Sequence, residues 1–297
     1  MASIKAWLTA RVLRATGVYR RSYAGGADFA ALQAKALAAL ADPLARPLAG
    51  VDVDVTIFDD RPVWTLSPTD RAPTATVLYW HGGGYVYPPT PLHYAFYGAM
   101  VRDHGWRIVA PRYPLAPPHD VEDATNFAFA LYHDLIARDG VPTLIGGDSA
   151  GGGLAAALAM AVRNAGVALP SGLLLICPWL DARVNHRDQA AIEPRDGILT
   201  IAGVRKAGAL YAGEAGVTDV RVSPLLGDWV GLPPILAFGG GDDILVTDAR
   251  ALKAKLPGVN YDERAGLLHD WPLFTFSESQ SARARMAAFA AAHAAPP

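Results

Sequence analysis

The chain reads as an α/β fold: a mostly parallel central sheet between helices, carrying a helical cap. Three observations predict it. From residue 51 onward, short apolar runs alternate with longer segments of helical pattern. Most of those runs are bounded by Gly or Pro and are mainly apolar, as suits strands buried on both faces. The 297 residues are 52% hydrophobic, enough to bury one large core.

The elements follow in order. Residues 51–58 alternate apolar and polar side chains, and 63–66 follow Arg61-Pro62, so an antiparallel pair is expected. The runs 76–80, 107–110, 143–145, 173–176 and 235–238 read as buried strands. Helical patterns fall between them at about 92–104, 121–138, 152–164 and 246–256. A last strand at 259–264 and a helix at about 277–292 close the chain. Such alternation implies right-handed crossovers and three layers, with a ligand site at the carboxyl ends of the strands.

Two regions stand outside this rhythm. Residues 1–45 carry two amphipathic helical patterns and read as an N-terminal cap arm. Residues 46–297 read as the catalytic domain, with a cap insertion at about 178–234, helical near 200–211. Loops of that length usually serve as lids or binding elements.

Composition excludes several function classes. With 26 Lys+Arg against 28 Asp+Glu, the net charge is -2, and no basic stripe offers itself to a nucleic acid. Cys177 is the only cysteine and lies in an apolar run, so it reads as a small buried hydrophobe. The N-terminus lacks a continuous apolar signal segment, and no uncharged stretch reaches membrane-spanning length, so a cytoplasmic protein is expected. The histidines show no HExxH spacing, GxxxxGK[ST] is absent, and the glycine-rich stretch 146–153 fails GxGxxG. No metal and no cofactor is expected.

Gly147-Asp148-Ser149-Ala150-Gly151 matches G-x-S-x-G, between a strand pattern and a helix pattern. In that setting the serine sits on a strained strand-to-helix turn with its hydroxyl presented as a nucleophile. The pattern alone is short enough to arise by chance. His81-Gly82-Gly83-Gly84-Tyr85 supplies a second motif directly after the strand 76–80. Its glycines let backbone N–H groups converge on one point, as an acyl-transfer enzyme needs for its oxyanion. An acid and a base should then follow Ser149 in the order Ser…Asp…His. His269 lies after the last strand pattern, whereas His186 falls in the expected cap and His293 in the terminal helix. Asp242 and Asp243, just past the strand 235–238, are both candidates for the acid.

HGGGY, the RYPLAP segment at 112–117, GDSAGG at 147–152, DDILVTD at 242–248 and LHDW at 268–271 together resemble the hormone-sensitive-lipase-like esterases. These form the fold-3 group of the α/β-hydrolase fold. The resemblance covers about 51–290 and implies hydrolysis of short- to medium-chain acyl esters or lactones, without metal or organic cofactor. It carries Gly83, Gly84 and Ala150 over as oxyanion-hole donors through their backbone N–H groups. Its D-x-L spacing points to Asp243 as the acid, with Asp242 the competing choice. Asp248 is expected to cap a helix or face solvent. The resemblance also leaves a homodimer through an edge strand open. The family often has glycine after the histidine, whereas this chain has Asp270.

Supporting roles are weighed on the same footing. His81 is expected to order its loop, and Arg112, Tyr113 and Asp123 to brace the nucleophile turn. Tyr85, Trp179, Tyr211 and Trp229 are either pocket lining or packing, with Tyr85 the best placed to bind substrate because it abuts the glycine loop. Two rival functions remain: an amidase or acyltransferase using the same triad, and a hydrolase homologue that binds a ligand without turning it over.

Overall fold

The computed structural model describes residues 2–22 and 48–294, with isolated positions 31 and 34 between. The arm begins with α1 (Ile4–Thr16). Ser3 caps it by accepting the Ala6 N–H, and Gly17 ends it in the left-handed region at φ 57°. A short helix α2 (Val18–Ser22) follows. The second helical pattern of the arm lies almost wholly outside the described residues. Ala6, Ala10 and Leu13 bury one face of α1, while Arg14 and Arg20 donate to the carbonyls of Glu193, Arg195 and Asp196. The arm is thereby tied to the region after residue 178.

An eight-stranded sheet forms the centre, in the order β1-β2-β4-β3-β5-β6-β7-β8. β1 (Val51–Phe58), β2 (Arg61–Pro68) and β4 (Trp106–Pro111) pair antiparallel in succession. β3 (Ala75–Trp80), β5 (Leu144–Asp148), β6 (Gly172–Ile176), β7 (Ile235–Gly240) and β8 (Asn260–Arg264) run parallel with β4. The expected antiparallel pair and buried strands are all present. Along β1 the apolar positions Val53, Val55 and Ile57 are exposed. β1 is the edge strand and pairs only with β2; Val51 and Phe58 at its ends pack against the core, while the residues between them stand clear of it.

The connecting helices are α3 (Pro91–His104), α4 (Val121–Asp139), α5 (Ser149–Asn164), α8 (Val246–Lys255) and α9 (Ser277–His293). Between β6 and β7 lie α6 (Gln189–Ile192) and α7 (Ile201–Ala212), joined by irregular chain and single 3₁₀ turns. The sheet's interior is β-branched, leucine-rich and aromatic, with Val77, Leu78, Leu144, Ile145, Leu174 and Leu236 fully buried.

One helix start differs from the sequence expectation. α5 begins at Ser149, three residues before the expected Gly152, so the glycine run is helical. A Cβ on Gly151 would overlap the carbonyl of Trp80 on β3. Glycine there lets the helix N-terminus close onto the neighbouring strand, which outweighs its poor intrinsic helix propensity. No helix among the described residues is long and apolar enough to cross a membrane.

Candidate active site

β5 delivers Ser149 to the carboxyl edge of the sheet, where it adopts φ 52°. A non-glycine residue held there stores strain on the order of 1–3 kcal/mol. The strain turns the chain abruptly from strand into α5 and leaves the serine at the helix N-terminus. The side chain makes no hydrogen bond among the described residues, and its backbone carbonyl accepts the Trp179 N–H at 2.9 Å. The Ala150 N–H, in the first helical turn, has no intrahelical acceptor.

The glycine loop after β3 turns over this edge. Gly83 and Gly84 both take positive φ, 120° and 64°, and Tyr85 follows at 63°. The Gly83 carbonyl accepts from Val86 and Tyr87, which closes the loop, while the N–H groups of Gly83 and Gly84 donate to no other described residue. These two N–H groups and that of Ala150 are the predicted oxyanion donors.

Asp148 fastens the loop from below. It is fully buried and accepts from Tyr79 Oη at 2.9 Å, the Gly82 N–H at 3.0 Å and His93 Nε2 at 3.1 Å. Burial opposes its charge, but His93 and the hydrogen bonds outweigh that and hold the carboxyl below its usual range. His81 orders the loop as expected. Its Nδ1 meets the Gly82 carbonyl at 2.7 Å, its ring stacks on Tyr113, and burial pushes its pKa down to about 3. Tyr113 donates to the His81 carbonyl at 2.9 Å, and Asp123 closes the capping box of α4, so both brace structure.

The candidate acid and base come from the turns after β7 and β8. His269 Nδ1 donates to Asp243 Oδ2 at 2.8 Å, and Asp243 Oδ1 accepts the Leu245 N–H at 2.8 Å. Both side chains are buried. Burial favours the neutral imidazole, yet Asp243 and then Asp270 hold its proton well above the usual histidine range. Asp242 faces elsewhere, 3.0 Å from Arg195 and 3.6 Å from Arg14 of the arm. Of the two predicted carboxylates, only Asp243 reaches His269.

The other ring nitrogen also has a partner, the aspartate that stands where the family often has glycine. His269 Nε2 lies 3.1 Å from Asp270 Oδ2. Asp270 sits at φ 54°, and its second oxygen is buried without a hydrogen-bond partner.

Two further buried carboxylates hold backbone around this site, Asp196 at the turn after β7 and Asp248 at the chain leaving β6. Asp196, buried between α6 and α7, accepts the N–H groups of Ile198, Leu199 and Ile244. Asp248 was expected to cap or face solvent; it is instead buried and accepts the Leu180 and Asp181 N–H groups at 2.8 and 2.9 Å. Its position one turn into α8 points it inward, toward the chain leaving β6. No local sequence signal separates that orientation from a solvent-facing one.

Cys177 is buried, as expected of its apolar run, but it lies beside the site at φ 42°. Its sulfur, the Asp243 carboxylate and a His269 nitrogen lie within 4.8 Å of one another. Burial first, then the nearby carboxylates, push the thiol's pKa up, and a metal ion there would have to break the His269–Asp243 hydrogen bond. Tyr85 stacks on Tyr211, with centroids 3.6 Å apart and planes 4° from parallel, and both packs against Trp179 and fills the space beside Gly153. Tyr85 and Tyr211 are both fully buried, so the stack packs the glycine loop against α7, whereas Trp229 donates to the Pro224 carbonyl in its own turn.

A family model described as alpha/beta hydrolase fold matches residues 77–273. A Mycobacterium tuberculosis protein provisionally named an acetyl-hydrolase, LipR, is 34% identical over 220 residues, 71% of this chain and 70% of its own. An acetyl-hydrolase of Streptomyces hygroscopicus is 32% identical over 203 residues, 66% of this chain and 68% of its own. The crystal structure of an esterase from the bacterial hormone-sensitive lipase family superposes with a TM-score of 0.81 at 27% identity, covering 99% of both chains.

Proposed function

The chain belongs to the α/β-hydrolase fold family, among the hormone-sensitive-lipase-like esterases, and from that premise we propose that it cleaves short- to medium-chain acyl esters or lactones through Ser149, His269 and Asp243. It is a carboxylesterase-type hydrolase, in keeping with relatives named acetyl-hydrolase and esterase. The observation that carries the triad reading is the 2.8 Å hydrogen bond from His269 Nδ1 to the buried Asp243. That bond fixes the tautomer whose Nε2 can take a proton from the serine.

In this reading His269 Nε2 accepts the Ser149 proton as Oγ attacks the ester carbonyl. The oxyanion is met by the N–H groups of Gly83, Gly84 and Ala150, which have no competing acceptor among the described residues. His269 then gives its proton to the departing alkoxide, leaving an acyl-serine. Water deprotonated by His269 attacks the acyl carbon, and the serine recovers its proton from the imidazolium.

The reading extends to the cap. The arm and the 178–234 region cover the strand ends together, supported by the Arg14 and Arg20 contacts with carbonyls at 193–196. Tyr85 belongs to the acyl side of the pocket as part of the packed cluster that it forms with Tyr211 and Trp179.

Steady-state hydrolysis of p-nitrophenyl butyrate by the wild type and by Ser149→Ala tests the nucleophile directly. Turnover that vanishes in the variant supports the triad and justifies a series of acyl lengths and lactones. Equal turnover in both overturns it.

A further inference from the structure

Resting on the assignment of His269 as general base, we propose that Asp270 is a positioning residue. Its carboxylate clamps His269 Nε2 in the substrate-free enzyme and sets the pH at which that nitrogen becomes free to accept the Ser149 proton. The geometry is specific. His269 is held between two carboxylates, Asp243 on Nδ1 at 2.8 Å and Asp270 on Nε2 at 3.1 Å. Nε2 is the nitrogen that base catalysis requires, and the Ser149 hydroxyl makes no hydrogen bond to it here.

Asp270 is shaped for this contact by its backbone. At φ 54° it occupies the left-handed region, which Asp tolerates better than most residues, and its carbonyl accepts the Leu273 N–H at 3.0 Å. That turn accompanies the return of the carboxylate to Nε2 of the residue preceding it. The second oxygen, Oδ1, is buried without a partner, so the contact with Nε2 is the side chain's principal polar interaction.

The surrounding charges favour retention of one proton by the His269–Asp270 pair. Asp148 at the end of β5 and Asp243 after β7 add negative potential, and Asp196 between α6 and α7, its own carboxyl pushed up to about 7 by burial, adds to it only once ionised. His93 on α3 opposes them, while Tyr79 on β3 and Cys177 after β6 stay protonated and neutral because burial raises both. Burial brings Asp270 itself up to about 7. Whichever partner carries the shared proton, its loss is the event that leaves a neutral imidazole beside a free Nε2. The acid limb of kcat/KM reports that loss in the free enzyme.

The test is the pH dependence of kcat/KM for p-nitrophenyl butyrate with wild type, Asp270→Asn and His269→Ala. Asn keeps the side chain's shape and tolerates the left-handed backbone. Removing a negative charge at this distance should lower the acid-limb midpoint by about one pH unit or more, so that well below both midpoints the variant keeps about tenfold more of its plateau activity. Should Asp270→Asn not fold, Asp270→Gly reads the same limb, since glycine adopts this backbone freely. A second readout needs no turnover: the NMR titration of His269 in Ser149→Ala, with and without Asp270→Asn, should show the same downward shift. Coincident midpoints in both measurements overturn the clamp. Full activity in His269→Ala would overturn the base assignment instead, so the two failures are distinguishable.

Discussion

The Gly82 N–H donates to Asp148 Oδ2 at 3.0 Å, which ties the glycine loop after β3 to the last residue of the strand that delivers Ser149. The proposed nucleophile and the proposed oxyanion donors thus share one anchor. The same carboxylate takes hydrogen bonds from Tyr79 and His93, so three donors from three segments converge on a fully buried acceptor. Asp148→Asn replaces one acceptor oxygen with a donor and leaves at least one of these groups unsatisfied. The expected cost is about 1–3 kcal/mol of stability. The kcat for p-nitrophenyl butyrate should also fall more than KM changes, because the loop's donors lose their register. Thermal unfolding together with steady-state kinetics checks both; an unchanged kcat in a destabilised protein would reduce Asp148 to a purely structural role.

Asp242 and Asp243 are neighbours in sequence with opposite expected behaviour. Asp243→Asn leaves the His269 ring without its acceptor and favours the wrong tautomer, with a loss of about 10³–10⁴ in kcat. Asp242→Asn removes only partly exposed ion pairs to Arg195 and Arg14, contacts that contribute about 0–1 kcal/mol to stability. Its kcat should stay within a few-fold of wild type. Parallel kinetics on the two variants decide the acid, and a larger loss at Asp242 would reverse the choice.

Much of this arrangement was legible in the sequence because glycines and motif order encode backbone geometry. G-x-S-x-G between a strand and a helix places Ser149 at the sheet edge, and HGGG after a strand places the loop that faces it. What the sequence hid is the second layer of carboxylates. Asp148, Asp196 and Asp248 bind backbone N–H groups or side chains remote in sequence, and neither periodicity nor spacing reveals which loop will lie against a given aspartate. Asp270 was visible as an unusual neighbour of the histidine, but its contact with Nε2 depends on a left-handed backbone that no local pattern announces. The alternation in β1 was read correctly as a strand, yet its exposure follows from sheet order, which is a property of the whole fold.

Gly83 offers a test of the oxyanion loop. At φ 120° no side chain is comfortable, and a Cβ there would overlap the carbonyl of Tyr87. Gly83→Ala should therefore displace the loop and cost about 10²–10³ in kcat, the usual consequence of losing one oxyanion donor. Gly258→Ala is the matched control, since a Cβ there meets nothing within 4 Å. Comparable activity in the two variants would show that the N–H groups at 83 and 84 do not hold the oxyanion.

Asp248 predicts a pH-dependent stability. Burial, with a contribution from Asp181, pushes its carboxyl up to about 8. An unfolded aspartate titrates near about 3.9, so between these values the folded protein binds the extra proton. The stability conferred by that proton is fully present below about pH 4 and is lost as the pH rises through about 8. Asp248→Asn is neutral at every pH and can still accept the Leu180 and Asp181 N–H groups through its amide oxygen, while its NH₂ reaches Thr247. The variant should lose less stability than the wild type between pH 5 and pH 9. Thermal unfolding of both proteins across that range checks it: the difference in Tm, variant minus wild type, should grow with pH. A constant difference would mean that Asp248 is already ionised throughout, its charge compensated by the two backbone donors.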